Sequence, residues 1–576
     1  MNRTSTTGEQ RVKTRRIPTA RRLTQANRVR RALALVAAAV VALGVGLPAS
    51  AGTVTTAHAA SYEPITGSGS SWSANAIKQW QRNVAGLYSM QVNYSDTGSS
   101  AGRRDFIGSQ NGPTVDFAVS EIPFQARPED GSAPEKPNIK YAYMPIVAGG
   151  TAFMYNLKIN GQRVTNLRLS GETITKIFTG EITKWNHKQI QSDNPGLKMP
   201  NKNIVPVVRS DGSGSTAQFT LWMSKQHKSL WKKFYPAGGL TSQYPVFSGA
   251  KGQTGSSGVS GYVAQDHGEG AITYVEYSYA LKANFPVAKV LNKSGYYVEP
   301  TKYAVAVALM KAKINNNKSS SDYLTQILDG VYSNNDKRSY PLSSYSYLIV
   351  PTEAKGIVTN AKGKTLAEFG KYLLCEGQQQ AGDLGYSPLP MNLVQAGFTQ
   401  IKRIPGAGSV KVDINKCNNP TFKAGDSLSK NQLAQTAPMP QECDKKGPEQ
   451  CTTGTGGAEG STPKTGNGGG DGSGGGDDTG GSGTDDTGGS GTDDTGSAGT
   501  DDTGSAGVVI DDNGELVSAG SAGNAAVASP FTLPEDGWGG TQTMMVVAGL
   551  LLLAAMLVPP MLGNRMGSSS RKGGEQ

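Results

Sequence analysis

Three short stretches place glycines and hydroxyls directly ahead of a helical pattern. They are Gly67-Ser68-Gly69-Ser70-Ser71-Trp72, Asp96-Thr97-Gly98-Ser99-Ser100-Ala101-Gly102 and Arg209-Ser210-Asp211-Gly212-Ser213-Gly214-Ser215-Thr216. Such turns offer backbone N–H groups and hydroxyls at a helix N-terminus, where partial positive charge favours an anion. Arg209 adds a full charge on a planar donor fork. Asp211, Ser213 and Ser215 also have the chemistry of ordinary helix caps, so one such turn would carry little weight. Three in one chain point to convergence on a single anion. Glu121 then ends the run Val119-Ser120-Glu121 with a carboxylate. A carboxylate beside an anion site repels its ligand unless the anion brings a proton for it to accept.

The elements that must hold these residues follow from the apolar pattern. Ile204-Val205-Pro206-Val207-Val208 predicts a buried strand before Arg209, and Ala217–Met223 a helix after it. A helix is expected from Ala74 to Leu87, and another around Phe106. Strands are expected at Met90–Tyr94, Thr114–Val119, Ile146–Ala148, Ala152–Tyr155 and Ala271–Val275. Leu169–Phe178 reads as strand, turn and helix with Ser170 as cap, and Leu366–Leu374 has helical spacing. Strands alternating with helices give an α/β class with sheets flanked by helices. Residues 62–405 exceed one ordinary core, so two lobes are expected.

The flanks are of other kinds. Residues 1–59 run from arginine-rich to apolar to Ala-x-Ala patterns, the order of a secretory signal peptide, with cleavage expected after Ala59. Residues 452–530 contain an eight-residue repeat beginning Asp477-Asp478-Thr479-Gly480. That composition cannot bury a core and is expected to be a disordered linker spanning roughly 50 Å or more. Residues 543–562 form an apolar run expected to cross a bilayer, and the basic tail 563–576 places the C-terminus inside. Leu533-Pro534-Glu535-Asp536-Gly537 approaches a sortase signal but lacks its threonine, which favours a retained membrane anchor. The net charge of +11 hides an acidic linker and a basic centre, and a basic centre favours anionic partners. Cys375, Cys417, Cys443 and Cys451 suit two disulfides outside the cell, with three pairings open. Their spacing gives no metal site.

Over roughly residues 62–405 the chain resembles the phosphate-binding protein of bacterial phosphate ABC transporters, a type II periplasmic-binding-protein fold. The three Gly/Ser turns carry the resemblance, with Val115-Asp116-Phe117-Ala118, Gly180-Glu181-Ile182-Thr183-Lys184-Trp185 and Tyr274-Val275-Glu276-Tyr277-Ser278-Tyr279-Ala280, in matching order and spacing. It implies a hinged domain over 60–405, with lobe 1 at about 62–150 and 345–405 and lobe 2 at about 151–344. The Cys-containing extension 406–451 lies beyond it. It implies that Ser71 gives hydroxyl and amide donors, Trp72 a backbone N–H where Phe is usual, and Ser99 a hydroxyl. Arg209 is the arginine of the site with Asp211 as its ion-pair partner, and Ser213, Gly214 and Ser215 are donors at the helix N-terminus. Glu121 stands where Asp commonly accepts the phosphate proton, and its extra methylene must be absorbed. Ser71 and Ser215 replace Thr and keep the hydroxyl.

The implied protein is an extracellular, membrane-tethered receptor that captures inorganic phosphate and passes it to the membrane permease subunits of a phosphate ABC transporter. It is expected to be a monomer, to bind no nucleic acid and to need no cofactor or metal. A receptor of the same fold for another tetrahedral oxyanion is the alternative. Gly98-Ser99-Ser100-Ala101-Gly102 also fits the nucleophile pattern of a secreted serine hydrolase, and the linker and anchor fit a surface-attachment protein.

Overall fold

The computed structural model describes residues 62–458, apart from 127, 129–132 and 321. Every described residue belongs to one compact unit. The expected signal peptide, the aspartate repeats and the span 543–562 lie outside the described residues. Among the described residues no helix is long and apolar enough to cross a membrane.

The fold is mixed α/β and two-lobed, built on one curled eight-stranded sheet. Its order is Val92–Ser95, Ile65–Gly69, Phe117–Ser120, Ser343–Pro351, Tyr141–Tyr155, Ala271–Glu276, Val205–Arg209, Lys251–Gln253. The three strands at each end run parallel within their own half. The two middle strands pair antiparallel and tie the halves together. A parallel strand must hand on to a helix, and four do so at once. Ile65–Gly69 leads to Ala74–Tyr88, Val92–Ser95 to Ser99–Ile107, Val205–Arg209 to Gly214–Gln226, and Lys251–Gln253 to Gly255–Ala264. Each helix therefore begins at the C-terminal edge of its half-sheet, the edge where ligands sit in open α/β sheets.

Sequence reasoning divides residues 146–155 into two strands, but Tyr141–Tyr155 is continuous. Gly149-Gly150-Thr151 looks like a break and is instead a change of partner. Residues up to Gly150 pair with Ser343–Pro351, and from Thr151 the strand pairs with Ala271–Glu276. Gly149 is there for clearance, since a Cβ would lie 2.7 Å from the Trp72 ring and 3.1 Å from Glu276 Oε1.

The helix Gly214–Gln226 rests on an aromatic cluster. Phe219 packs 4.9 Å from Tyr274 and 5.2 Å from Phe178 between ring centroids. Tyr274 also accepts the Arg209 N–H at 3.1 Å and meets Thr216 Oγ1 at 2.7 Å, which fixes strand end and helix start to one phenol. At the far end of this helix His227 lies edge-on to Trp222 at 5.0 Å. Burial lowers its pKa to about 4, against a smaller opposing pull from Glu172. The unfolded chain takes up this proton near pH 6.5, the folded chain only near pH 4, so stability falls as pH drops between them. We expect about 1 kcal/mol of this loss between pH 7 and pH 5, allowing for partial exposure. His227→Phe should remove that share, read as urea midpoints at the two pH values.

The pairing of the cysteines is Cys375–Cys417 and Cys443–Cys451. The extension starts on the first half, where Asn419 Nδ2 donates to the Leu374 and Leu389 carbonyls. It then crosses to the second half. Arg168 Nη1 donates to the Cys443 carbonyl at 2.9 Å, Lys289 pairs with Asp444 at 2.8 Å, and Asn166 Nδ2 donates to the Cys451 carbonyl at 2.7 Å. The packed chain runs past the expected boundary at 451. Thr455 donates to the Thr165 carbonyl and exchanges hydrogen bonds with Val287, and the Gly456 N–H donates to Glu299. Those pairings hold residues 452–458 on the fold, although composition assigns them to the linker.

Candidate functional site

The four helix starts meet where the two halves touch. Arg209 ends its strand fully buried, and its Nε donates to Asp211 Oδ1 at 2.6 Å while Nη2 donates to Oδ2. Asp211 also accepts the Gly255 N–H at 3.0 Å. Burial alone would raise the Asp211 pKa, but the Arg209 hydrogen bonds and charge and the Gly255 amide hold it below the ordinary carboxylate value. The pair is therefore ionised, with the guanidinium pinned in orientation. Its remaining nitrogen, Nη1, reaches Ser256 Oγ at 3.4 Å.

Ser71 faces the same group from the other half. Its hydroxyl meets Ser256 Oγ at 2.9 Å and accepts the Ser256 N–H at 3.1 Å, while the Ser71 carbonyl accepts from Tyr279 at 2.5 Å. Trp72 is buried, with its carbonyl bonded to Tyr386 at 2.7 Å and its indole against Gly149.

Ser99, Glu121 and Gly214 form a second group. Ser99 Oγ donates to Glu121 Oε2 at 2.6 Å, and Ser70 and Ser346 both donate to Oε1, the latter at 2.5 Å. Glu121 is 1% exposed. A Cβ on Gly214 would overlap Glu121 Oε2 and lie 2.6 Å from Ser99 Oγ. Ser213 caps the helix: its side chain accepts the Thr216 N–H at 3.2 Å, and its own N–H is taken by the Ser242 carbonyl. Among the described residues the buried Ser215 hydroxyl has no hydrogen-bond partner.

The predicted residues thus gather at the interface of the halves in two adjoining groups, one cationic and one around the carboxylate. Ser213 serves the turn more than the cleft. Three residues escaped sequence reasoning. Ser256 had a signal, because Thr254-Gly255-Ser256-Ser257 repeats Thr97-Gly98-Ser99-Ser100 letter for letter. Ser70 lay inside a turn already singled out. Ser346, in an alternating Ser/Tyr strand, had none.

Residues 54–376 match the family described as the PBP superfamily domain. The phosphate-binding protein PstS of Xylella fastidiosa (strain Temecula1) is 32% identical over 352 residues, covering 61% of this chain and 88% of that one. The chain belongs to the PstS family of phosphate-binding proteins. PstS of Haemophilus influenzae is 30% identical, over 59% of this chain and 92% of its own. Among solved structures, a high-affinity periplasmic phosphate-binding protein bound with phosphate, PfluDING, aligns at 20% identity with a TM-score of 0.45, covering 58% of this chain and 92% of that one. PstS proteins are binding proteins and not enzymes, so the serine-hydrolase alternative falls. The hydroxyl that would have been its nucleophile, Ser100, accepts from Arg103 Nη2 at 3.2 Å. His187, His227 and His267 make their contacts with Gln189, Trp222 and Tyr262. The match to the PBP superfamily domain stops at residue 376, and the extension from 406 lies wholly beyond it.

Proposed function

We propose that this chain captures inorganic phosphate between its two lobes and delivers it to an ABC permease, from a position outside the membrane to which the span 543–562 tethers it. The observation that carries the reading is one carboxylate, Glu121, set among hydroxyl donors and against Gly214 at a helix N-terminus. Donors alone would suit any oxyanion. An acceptor in their midst suits one that keeps a proton at neutral pH, as phosphate does and sulfate does not. In this reading Arg209, oriented by Asp211, supplies the attraction. Ser71, Trp72, Ser99, Gly214 and Ser215 supply neutral donors, and Ser213 holds the turn. The unpartnered Ser215 hydroxyl supports it, because a buried unpaired hydroxyl costs about 1–3 kcal/mol unless a ligand takes it up.

The lobes are taken as about 62–150 with 345–405, and about 151–344. The partner change at Gly150 and Thr151 supports that division. Receptors of this kind close by hinge motion, and the contacts between halves described above suit a closed form. A different tetrahedral oxyanion is the second reading, favoured by the longer Glu121 in the usual place of Asp. Calorimetry of the full chain with phosphate, sulfate and arsenate decides between them. Phosphate is expected to bind at least about a hundredfold tighter than sulfate, and Glu121→Gln to erase most of that margin. Equal affinity for sulfate would overturn the phosphate assignment.

A further inference from the structure

We infer that Ser346 and Ser70 are positioning residues for anion selectivity, holding one oxygen of Glu121 so that the other alone faces the ligand. The inference rests on the phosphate reading above and deepens it. Among the described residues Glu121 Oε1 accepts from both Ser70 and Ser346, whereas Oε2 accepts only from Ser99 and faces Gly214. An ionised carboxylate only accepts, so all three hydroxyls must donate to it. Two fixed donors on Oε1 leave the side chain no free rotation about its last bond. That constraint matters more for Glu than for Asp, because the extra methylene adds a rotatable bond between backbone and carboxylate.

The two donors come from separate elements. Ser70 follows the strand Ile65–Gly69, next to the turn that starts the first helix. Ser346 comes from Ser343–Pro351, one of the two strands that join the halves. Tyr347 pairs with Ser120, so the antiparallel register sets Ser346 opposite Glu121. On its other side, pairing with Tyr141–Tyr155 slips between Ser346 and Tyr347, from Val147 to Pro145. Pro145 has no N–H to give the ladder, and a bulge there costs little. The joining strand thus delivers a hydroxyl to the selectivity carboxylate at its irregular point. Gln326 ties the same strand to the Glu121 backbone, its Nε2 donating to the Glu121 carbonyl at 3.2 Å and the Tyr345 carbonyl at 2.9 Å.

When a protonated phosphate enters, its P–O–H donates to Oε2 and Ser99 is released to donate to the phosphate. Oε1 keeps its two serines throughout. Ser99 is thereby the exchangeable donor, and Ser70 and Ser346 the constant ones.

The test compares Ser346→Ala, Ser70→Ala and Ser346→Thr in the full chain, by calorimetry with phosphate and with sulfate, alongside thermal unfolding without ligand. Ser346→Ala is expected to weaken phosphate about tenfold, the worth of one hydrogen bond to a charge, and to leave sulfate unchanged or tighter. The phosphate-to-sulfate ratio therefore falls. Ser346→Thr keeps the hydroxyl and restores the ratio. Ser70→Ala, on a separate element, lowers the ratio in the same direction and decides the matter if Ser346→Ala does not fold. A merely structural role would lower the unfolding temperature and weaken both anions alike, and that result overturns the inference. A wild-type chain that prefers phosphate, with serine variants of unchanged ratio, overturns this inference alone. A wild-type chain that does not prefer phosphate overturns the phosphate reading and this inference with it.

Discussion

Gly214→Ala is expected to weaken phosphate binding by at least about a hundredfold while leaving the unfolding midpoint nearly where it was. One methyl group at a helix start is ordinarily harmless, and Ala is the better helix former. Here the new Cβ would overlap Glu121 Oε2 and crowd Ser99 Oγ at 2.6 Å. Three serines hold that carboxylate, so it cannot give way without leaving a buried charge short of donors. Glu121 belongs to one half and Gly214 to the other, so the methyl acts as a wedge between them and leaves each half's own packing intact. Closure, and with it binding, takes the cost. Glu121→Asp draws the carboxylate back by one methylene, and the double variant should regain much of the lost affinity. Calorimetry on the two single variants and the double variant forms a cycle whose coupling reads the contact directly. Wild-type affinity in Gly214→Ala would mean that the bound form holds these two residues apart.

Arg209→Met should abolish measurable phosphate binding and also destabilise the chain by about 3–5 kcal/mol, the usual outcome of stripping one partner from a buried ion pair. Asp211 would keep only the Gly255 amide among the partners described above. Adding Asp211→Asn to Arg209→Met should recover most of the stability and none of the binding, which separates the structural share of this arginine from its ligand share. The pair also has a pH signature. Because Arg209 depresses the Asp211 pKa, the stabilisation is present above the unfolded value near pH 4 and is lost as pH falls through the lower folded value. Arg209→Met should delete that acid-limb loss, visible in urea midpoints between about pH 5 and pH 2.

The sequence was most legible where local chemistry decides conformation. The expected turn–helix units at Ala74, Ser99 and Gly214 are present, because Gly/Ser turns and caps act over a few residues. Ser170 caps its helix as expected, accepting from Thr173. It was least legible where two distant segments decide. Nothing in Ile146–Tyr155 announces that one strand serves two sheet partners, since the smallness of Gly149 answers to Trp72 and Glu276. Ser346 is equally silent, as its role comes from register against Ser120, far away in the chain. Ser256 was there to be found in the repeated Thr-Gly-Ser-Ser, had a fourth turn been weighed with the other three.

The crossing of residues 406–458 from one half to the other bears on the order in which this molecule can be finished. The Arg168 guanidinium waits for the Cys443 carbonyl 275 residues later, and Thr165 for Thr455 across 290 residues. Contacts of such separation form late, after the loop between them has been closed. A chain emerging from its N-terminus can lay down the first three strands early, yet must leave the second half unsealed until nearly all of the described residues are out. The Cys375–Cys417 bond, 42 residues apart, can form sooner and fasten the root of the extension to the helix Asn360–Leu374. The second half is then closed by a piece already moored to the first.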